Sequence, residues 1–376
     1  MTVIPSIQEA HRIVADPYGY PRSETGGERR FIGYNCLFVP EAMLHAAGFV
    51  PLRMLGQSTG LDTSDTYIPS QCCEVVKNIL TAFDRGTFTF LEAAVFGFCC
   101  DTMQVTANIL KESGLTTVFQ LNVPTKFGDV AARDYLIDEV DRFQKSFEEW
   151  LGFRISEAAL VESCEIYDDG NTLMRRLKAW RKSFPDALPV SDMLAVLSVG
   201  YFIPKETHNL LLTTLLNERE AAADGSCRPD GDRKKRIIVS GFINNDIDLI
   251  QRIESLDLTV VDDDLCEGSR SVASEKPQAS APTARIADHI LSRYCPVKSD
   301  TKESYSQRLM ATYRENEADG IVIFLYPFCD AQYMEYAMAK AELAEADIPT
   351  LVLEPVITGD TFKQIETRLE AFVERL

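Results

Sequence analysis

Cysteines are the residues of this chain best suited to chemistry, because it has ten of them in 376 residues and four stand in two adjacent pairs. The pairs are Cys72–Cys73, in "SQCCEVV", and Cys99–Cys100, in "GFCCDTM". Thiolates are ligands of zinc and of iron–sulfur clusters. The chain contains neither the CxxC pairs typical of zinc sites nor the compact CxxCxxCxxxC run of ferredoxins. Cysteines dispersed in this way favour an iron–sulfur cluster whose ligands are brought together by folding.

Two groups of β-rich runs alternate with helix-period stretches and predict the elements that must position these thiols. The groups span roughly residues 31–125 and 235–355. Such alternation indicates βαβ units in parallel sheets. We therefore predict an α/β fold with two Rossmann-like parallel-sheet domains, joined by a helical segment, with the cluster at the domain interface. The expected limits are residues 1–30 for an N-terminal lead, 31–150 for the first α/β domain, 151–225 for the helical segment and 235–376 for the second α/β domain.

Four of the cysteines follow predicted strands, and a fifth begins a predicted helix. In open α/β sheets, functional groups gather at the carboxyl ends of the strands, where loops meet helix N-termini. A helix N-terminus lowers the pKa of a thiol and favours anionic ligands, which suits thiolates that hold a metal cluster. The helix "CEVVKNILTAF" begins at Cys73. The cysteines that follow strands are Cys36, Cys99, Cys100 and Cys329.

The adjacent pairs have an explanation if the site holds two four-iron cubanes. Neighbouring side chains diverge in space, so Cys73 and Cys100 would serve one cubane while Cys72 and Cys99 serve a second one beside it. Two cubanes with three protein ligands each require six thiolates. The predicted ligands are Cys72, Cys73, Cys99, Cys100, Cys295 and Cys329.

The sixth ligand is the least determined of this set. Cys36 and Cys266 compete with Cys295 for the place. Cys164 and Cys227 lie in the helical and linker regions, and we expect them to be structural, because free cysteines are often buried as small apolar residues.

The composition excludes several classes of function. A formal charge of −19 disfavours nucleic acid or an anionic membrane as a partner, because phosphate binding needs concentrated Lys and Arg. No apolar run approaches the ~18 residues of a membrane span, and the N-terminus lacks the features of a secretory signal. The nucleotide motifs GxxxxGKS/T and GxGxxG and the zinc motif HExxH are absent. We expect a cytoplasmic protein whose thiols are reduced or bound to metal.

Several charged residues near the cysteines have a structural explanation and a chemical one. Asp101 and Asp330 directly follow cysteines and are expected to cap helices. The acidic run at residues 262–264 closes a strand and is expected to lie in a solvated loop, and Arg270 is expected to form a surface ion pair. Glu41 is a candidate proton donor near the cluster.

The chain resembles the 2-hydroxyacyl-CoA dehydratase and benzoyl-CoA reductase subunit family over nearly its whole length. The stretches that carry the resemblance are "GYNCLFVPEAMLHAAGFVPLRMLG", "CEVVKNIL", "CCDTMQ", "VVDDDLCEGSR", "FCDAQYMEY" and "IPTLVLEPVITGDTFKQIETRLEAFVERL". The resemblance implies two Rossmann-like domains with a four-iron cluster between them. It also implies three cluster ligands, which correspond by motif to Cys73, Cys100 and Cys329.

Two departures from the dehydratase pattern point to one branch of this family. Members with the "PEE" form carry a second acidic residue after the position of Glu41, where this chain has Ala42. The doubled cysteines are similar to those of the double-cubane cluster proteins. For that branch the resemblance implies two cubanes joined by a bridging sulfide, a homodimer without acyl-CoA chemistry, and electrons received from a separate ATP-hydrolysing iron–sulfur activator.

The sequence thus predicts an oxygen-sensitive iron–sulfur oxidoreductase that reduces small molecules with electrons from the activator. One alternative is a 2-hydroxyacyl-CoA dehydratase or benzoyl-CoA reductase-type subunit with one four-iron cluster, which would make the chain a lyase component in the dehydratase case. The other alternative is a non-catalytic electron carrier. Nucleic acid and membrane are not expected as partners.

Overall fold

The computed structural model of the chain describes residues 6–24, 29–56, 63–114, 117–222, 234–242, 247–256, 258–298, 303–355 and 361–376. The strands in these ranges are β1 (Arg30–Tyr34), β2 (Phe49–Arg53), β3 (Ala94–Gly97), β4 (Val118–Leu121), β5 (Lys235–Ser240), β6 (Leu258–Asp264), β7 (Gly320–Phe324) and β8 (Thr350–Leu353). The helices are α1 (Ile7–Ala15), α2 (Gly19–Glu24), α3 (Glu41–Ala46), α4 (Glu74–Asp84), α5 (Asp101–Glu112), α6 (Val130–Leu151), α7 (Glu157–Ser183), α8 (Val190–Ser198), α9 (Lys205–Ala222), α10 (Ile247–Glu254), α11 (Pro282–Leu291), α12 (Tyr305–Glu315), α13 (Asp330–Glu345) and α14 (Thr361–Val373).

The strands form two four-stranded sheets in which every described pairing is parallel. The first sheet has the order β2-β1-β3-β4, and the second has the order β6-β5-β7-β8. The second sheet therefore repeats the topology of the first. In each sheet the chain changes direction of winding between its first and third strands, which is the switch point where open α/β sheets bind ligands. The predicted fold class, α/β with two Rossmann-like sheets, is confirmed.

The central strands are continuous apolar runs because they are buried on both faces. Every residue of β3 and β7 is buried, and so is every residue of β5 except the first. Parallel sheets characteristically show this pattern instead of alternating apolar and polar residues. The apolar runs stop at the carboxyl ends of the strands. Polar and sulfur-bearing side chains therefore begin at that edge of each sheet.

The chain between the two sheets is helical, as predicted. It contains α6 to α9, and the first of them, α6, begins at Val130 instead of near residue 151. α6 packs on the first sheet through Phe143, Phe147 and Trp150, whose rings lie 5.4 to 6.0 Å from those of Phe49 or Phe119. The domain limits stay a prediction. Residues 223–233, with Cys227 and most of the expected boundary, lie outside the described residues. None of the described helices is both long and apolar enough to cross a bilayer.

Direct contacts between the two halves hold the carboxyl ends of their sheets together. Arg53, at the end of β2, pairs with Glu267 beyond β6 at 3.4 Å. Arg293, beyond α11, donates a hydrogen bond to the carbonyl of Leu37, which follows β1. These contacts join segments that are more than 200 residues apart in sequence. The switch points of both sheets consequently open into one shared space.

Candidate metal centre

A cavity of about 890 Å³ lies where the carboxyl ends of the two sheets meet. Its walls are the segments that follow β1, β3, β5, β6, β7 and α11, together with the first turn of α4. The cavity gathers most of the thiols of the chain from separate stretches of sequence in both halves. The described residues that line it include seven cysteines: Cys36, Cys73, Cys99, Cys100, Cys266, Cys295 and Cys329.

A buried amide fixes the first-sheet side of the cavity. Asn35 follows β1 directly and is almost fully buried. Its Nδ2 donates to the carbonyl of Gly97 at 3.1 Å, and its Oδ1 accepts from the backbone N–H of Gly97 at 2.9 Å. This pair of bonds extends the ladder between β1 and β3 by one side chain. It holds the segment with Cys36 against the segment with Cys99 and Cys100.

A second buried amide has the same role on the other sheet. Gln332, in the first turn of α13, donates to the carbonyl of Phe324 and accepts from the backbone N–H of Tyr326 at 3.0 Å. The loop it holds contains Phe328, whose φ of 62° is in the left-handed region that non-glycine residues rarely occupy. A strained residue of this kind persists only where surrounding contacts enforce it. The loop positions Cys329 at the cavity wall.

Three of the thiols stand at helix N-termini. Cys73, Cys100 and Cys329 are the N-cap residues of α4, α5 and α13, and we call them the cap trio. None of these caps makes the side-chain hydrogen bond that Ser or Asp makes at this position. Asp101 and Asp330, which we expected to cap, are instead the first helical residues. Three helix dipoles thus present their positive ends to the thiols.

Another three thiols form a second group on the side of the cavity that carries buried arginines. Cys36, Cys266 and Cys295 are close enough for charge on one to raise the pKa of the others, and we call them the basic-side trio. Cys99 lies between the two trios, because interactions with Cys100 and with Cys36, together with burial, raise the pKa of its thiol well above the ordinary value. The members of the cap trio interact with one another in the same way.

Without a bound metal, burial disfavours the thiolate form of most of these cysteines. It raises the pKa of Cys73 and Cys266 to about 11, and that of Cys295 and Cys329 to about 12. A buried thiolate is costly unless a positive partner compensates it. Metal coordination supplies that compensation and deprotonates the thiol. These buried cysteines are therefore better suited to coordinate metal ions than to remain as free thiols.

Buried arginines line the same cavity, and several of their donors have no partner among the described residues. Arg53, Arg270 and Arg293 belong to the described lining, whereas no Asp or Glu does. Arg53 Nε and Nη1, Arg293 Nε and Tyr294 Oη are buried and make no hydrogen bond within the described part of the chain. Unpaired buried donors are rare in proteins and indicate a ligand or ordered water beside them. Here they fit an anionic group inside the cavity.

Arg270 is held in place by a buried carboxylate instead of forming the surface ion pair expected from the sequence. Its Nε donates to Asp264 Oδ1 at 2.9 Å, and Arg308 Nε donates to the same oxygen at 2.9 Å. Burial alone would raise the pKa of Asp264, yet the two guanidinium groups hold it well below its usual range. The expectation of a solvated loop at residues 262–264 was also wrong, because Asp263 and Asp264 are buried. The strand β6 extends through them and carries them inside.

Two predicted site residues lie outside the cavity wall. Cys72 is half-buried and is not among the described residues that line the cavity. Glu41 begins α3 and lines a separate pocket of about 340 Å³, where its Oε1 lies 3.7 Å from Arg293 Nη1. Arg293 lines both spaces and therefore separates them. Cys164, expected to be structural, is buried in the smaller pocket.

The donor set fits a multi-iron cluster better than a lone metal ion. Among the described residues, no group of three or more His, Cys, Asp or Glu side chains is arranged to hold a metal ion. A cubane instead takes its thiolates at separate corners, so its ligands need not converge on one point. Thiols spread around a wide cavity, helix N-termini and unpaired cationic donors all suit an anionic cluster of that kind.

The three arginines of the lining were not predicted from the sequence to meet at the cavity. Arg53 occurs in "PLRML", which is typical of a strand. Arg270, in "EGSR", could have faced an anionic substrate or the cluster edge, but a surface ion pair was expected instead, and Arg293 was not singled out. One signal was available: all three lie at the end of a strand or helix or a few residues beyond it, at the edge where the cysteines were predicted.

Comparison with known proteins gives matches over nearly the whole chain. A family model described as "2-hydroxyglutaryl-CoA dehydratase, D-component" matches residues 36–376. Lactoyl-CoA dehydratase subunit beta of Anaerotignum propionicum is 29% identical over 94% of this chain and 93% of that protein. (R)-2-hydroxyglutaryl-CoA dehydratase subunit beta of Acidaminococcus fermentans is 26% identical over 100% of both chains. A benzoyl-CoA reductase subunit of Thauera aromatica is 23% identical over 94% of this chain and 92% of that protein.

Proposed function

Because the chain belongs to the family of 2-hydroxyglutaryl-CoA dehydratase D-components, we propose that it is the cluster-bearing component of a low-potential, ATP-dependent reductase of small molecules. The family predicted from the sequence is confirmed, and membership makes the chain a component of an enzyme. The double-cubane cluster, the separate ATP-hydrolysing iron–sulfur activator and the homodimer are the finer parts of this proposal.

The proposal assigns one trio of thiols to each of two four-iron cubanes. The cap trio would hold one unit and the basic-side trio the other, with Cys99 between them as a further candidate ligand. The observation that carries this assignment is the number of thiols. A single cubane binds at most four cysteines, whereas seven line this cavity. Cys72, predicted from the sequence, is not in this assignment, and Cys36 and Cys266 take places that the sequence had left open.

Bound in the cavity, such a cluster would supply stored electrons of low potential. The residues of the chain have three other tasks. The thiolates fix its position, Arg53 and Arg270 offset its negative charge, and the apolar lining keeps water away from it. Glu41 is our candidate proton donor, and Arg293 stands between its carboxylate and the cavity.

An exposed apolar surface beside the cap trio supports a protein partner. Phe328 precedes Cys329, and Met334 and Met338 follow it on one face of α13, and all three side chains are exposed. Exposed apolar patches mark interaction sites, and Met and aromatic residues are enriched in interfaces. We assign this surface to the activator, because an electron donor must approach the cluster closely and Cys329, a proposed ligand, directly follows Phe328.

The first test is the iron content of the chain purified without oxygen. We expect about eight irons and a similar amount of acid-labile sulfide per chain, because two cubanes contain eight irons. Iron, sulfide and zinc are measured in the same sample. About four irons would contradict the double cubane and leave Cys36, Cys266 and Cys295 as bystanders. Zinc without iron would contradict every iron–sulfur function.

The second candidate function is that of a dehydratase or aryl-CoA reductase subunit with one four-iron cluster. The CoA-thioester substrates in the names of the relatives favour it. The cap trio would suffice as ligands. Against it stands Ala42, which lies beside Glu41 in the smaller pocket and provides no second carboxylate. We expect no dehydration of a 2-hydroxyacyl-CoA thioester by the loaded chain with an activator, measured as formation of the enoyl-CoA product by chromatography.

A further inference from the structure

Only some of the hydrogen-bond donors of the buried guanidinium of Arg53 have partners among the described residues. Its side chain is fully buried at the end of β2. Nη2 lies 3.4 Å from a carboxylate oxygen of Glu267, whereas Nε and Nη1 make no hydrogen bond to the described residues. Leaving buried donors of a charged group unpaired destabilises a folded chain. A fold that retains this arrangement needs a further acceptor beside Arg53.

The contacts of Arg53 fix its place within the cavity. Nη2 lies 3.5 Å from Cys266 Sγ, and the guanidinium lies 4.8 Å from the ring centroid of Tyr201. The ring and Glu267 hold the guanidinium plane, so it has little freedom to turn away. Since Cys266 belongs to the basic-side trio, Arg53 stands beside those thiols, whereas the cap trio faces helix N-termini.

We propose that Arg53 donates hydrogen bonds to the cluster unit held by the basic-side trio and raises the reduction potential of that unit above that of the unit held by the cap trio. This inference rests on the proposed function and adds to it a direction of electron transfer between the two units. Electrons would enter at the cap trio, beside the exposed surface of α13, and collect at the unit beside Arg53.

The physical reason is the charge change on reduction. The cluster gains one electron, and a nearby cation stabilises the added negative charge. Hydrogen bonds to the sulfurs and the net charge around a cluster are the levers by which proteins set its potential. The guanidinium supplies both at one edge of the cavity. The two units are therefore unequal although their thiolate ligands are alike.

The test is a redox titration of the loaded, anaerobically purified full chain, followed by electron paramagnetic resonance. Arg53→Met removes the charge and the donors, and Arg53→Lys keeps the charge alone. With Arg53→Met we expect the ratio of reduced to oxidised cluster in one unit to fall at least tenfold at a fixed potential. For a one-electron couple, a tenfold change in this ratio corresponds to a decrease of 59 mV in the reduction potential. Arg53→Lys should recover part of that shift. Iron content should stay unchanged in both variants.

Arg53→Met also removes the cation that lies 3.4 Å from the buried carboxylate of Glu267, so a double variant Arg53→Met with Glu267→Gln is titrated as well. The matched control is Arg181→Lys, since Arg181 is also buried but donates to the carbonyls of Leu188, Val260 and Val261, away from the cavity. Its potentials should equal those of the parent.

Unchanged potentials in iron-loaded Arg53 variants would overturn the role of Arg53 but leave the proposed function standing. A parent chain without iron would overturn the proposed function together with this inference.

Discussion

Replacing both Cys266 and Cys295 with alanine is expected to lower the iron content of the anaerobically purified chain from about eight atoms to about four. The reason is that a cubane with three protein ligands cannot be held by one remaining thiolate, whereas the cap trio would keep its unit. Activator-dependent reduction of substrate should be lost with the second unit. Iron and sulfide analysis, with the Mössbauer or paramagnetic resonance spectrum of the residual cluster, measures the outcome.

Two matched variants make this result specific. Cys72→Ala changes a half-buried cysteine outside the cavity lining, and Cys164→Ala changes a buried one in the smaller pocket. Both should retain the iron content of the parent. If Cys72→Ala instead halves the iron while the Cys266/Cys295 pair has no effect, the second unit uses Cys72 and Cys99 as the sequence predicted, with Cys36 in place of Cys295 as the sixth ligand. The basic-side trio would then be wrong.

Much of the fold was predictable because its signals are local. The mainly apolar runs of β1, β3, β5 and β7 are typical of buried parallel strands. The rule that ligands bind at the carboxyl ends of such strands then placed Cys36, Cys99, Cys100 and Cys329 at one edge. The position of Cys73 at the N-terminus of α4, where it is the N-cap, followed from the helix-period pattern. For these residues, sequence position and topology together were sufficient.

The pairing of thiols across the cavity was not predictable, because it depends on contacts between distant segments. Cys36 and Cys266 are 230 positions apart in the numbering, and no local pattern brings them together. The sequence argument gave weight to Cys72 because it is adjacent to Cys73. The N-cap position, however, commits only Cys73 of that pair to the helix end that faces the cavity, whereas Cys99 and Cys100 both line it. Adjacency indicated that these thiols matter without indicating which partners they have.

The prediction for the charged residues of the lining was wrong for a related reason. Arg270 was expected at the surface because an isolated arginine usually is exposed. Its burial depends on Asp264, which β6 carries inside, and on Arg308 of α12, which approaches the same carboxylate. Such a network is stable only when all of its members are present, so none of them signals burial alone. It also means that one substitution should have a large effect.

Asp264→Asn is expected to destabilise the chain by about 3–5 kcal/mol, the usual cost of removing one partner of a buried ion pair. The carboxylate is almost fully buried and accepts from Arg270, Arg308 and the hydroxyl of Ser240 at 3.1 Å. An asparagine of the same shape would remove the counter-charge of the buried guanidinium of Arg270 and of the partly exposed guanidinium of Arg308. Urea unfolding of the iron-free chain measures the change. Glu315→Gln, in the exposed pair with Lys182, is the control and should change stability by less than about 1 kcal/mol.

The acid dependence of stability should identify the same carboxylate. Arg270 and Arg308 overcome burial and lower the pKa of Asp264 in the folded chain, so its contribution is fully present above the unfolded-state value of about 3.9. It is lost as the pH falls below that value toward the lower pKa of the folded state. The parent should therefore lose stability more steeply than Asp264→Asn between about pH 4 and pH 2, and the gap between them should narrow. Parallel curves for the two proteins over that range would mean that Asp264 is not held as a carboxylate, and that Arg270 is fixed at the cavity wall by other contacts.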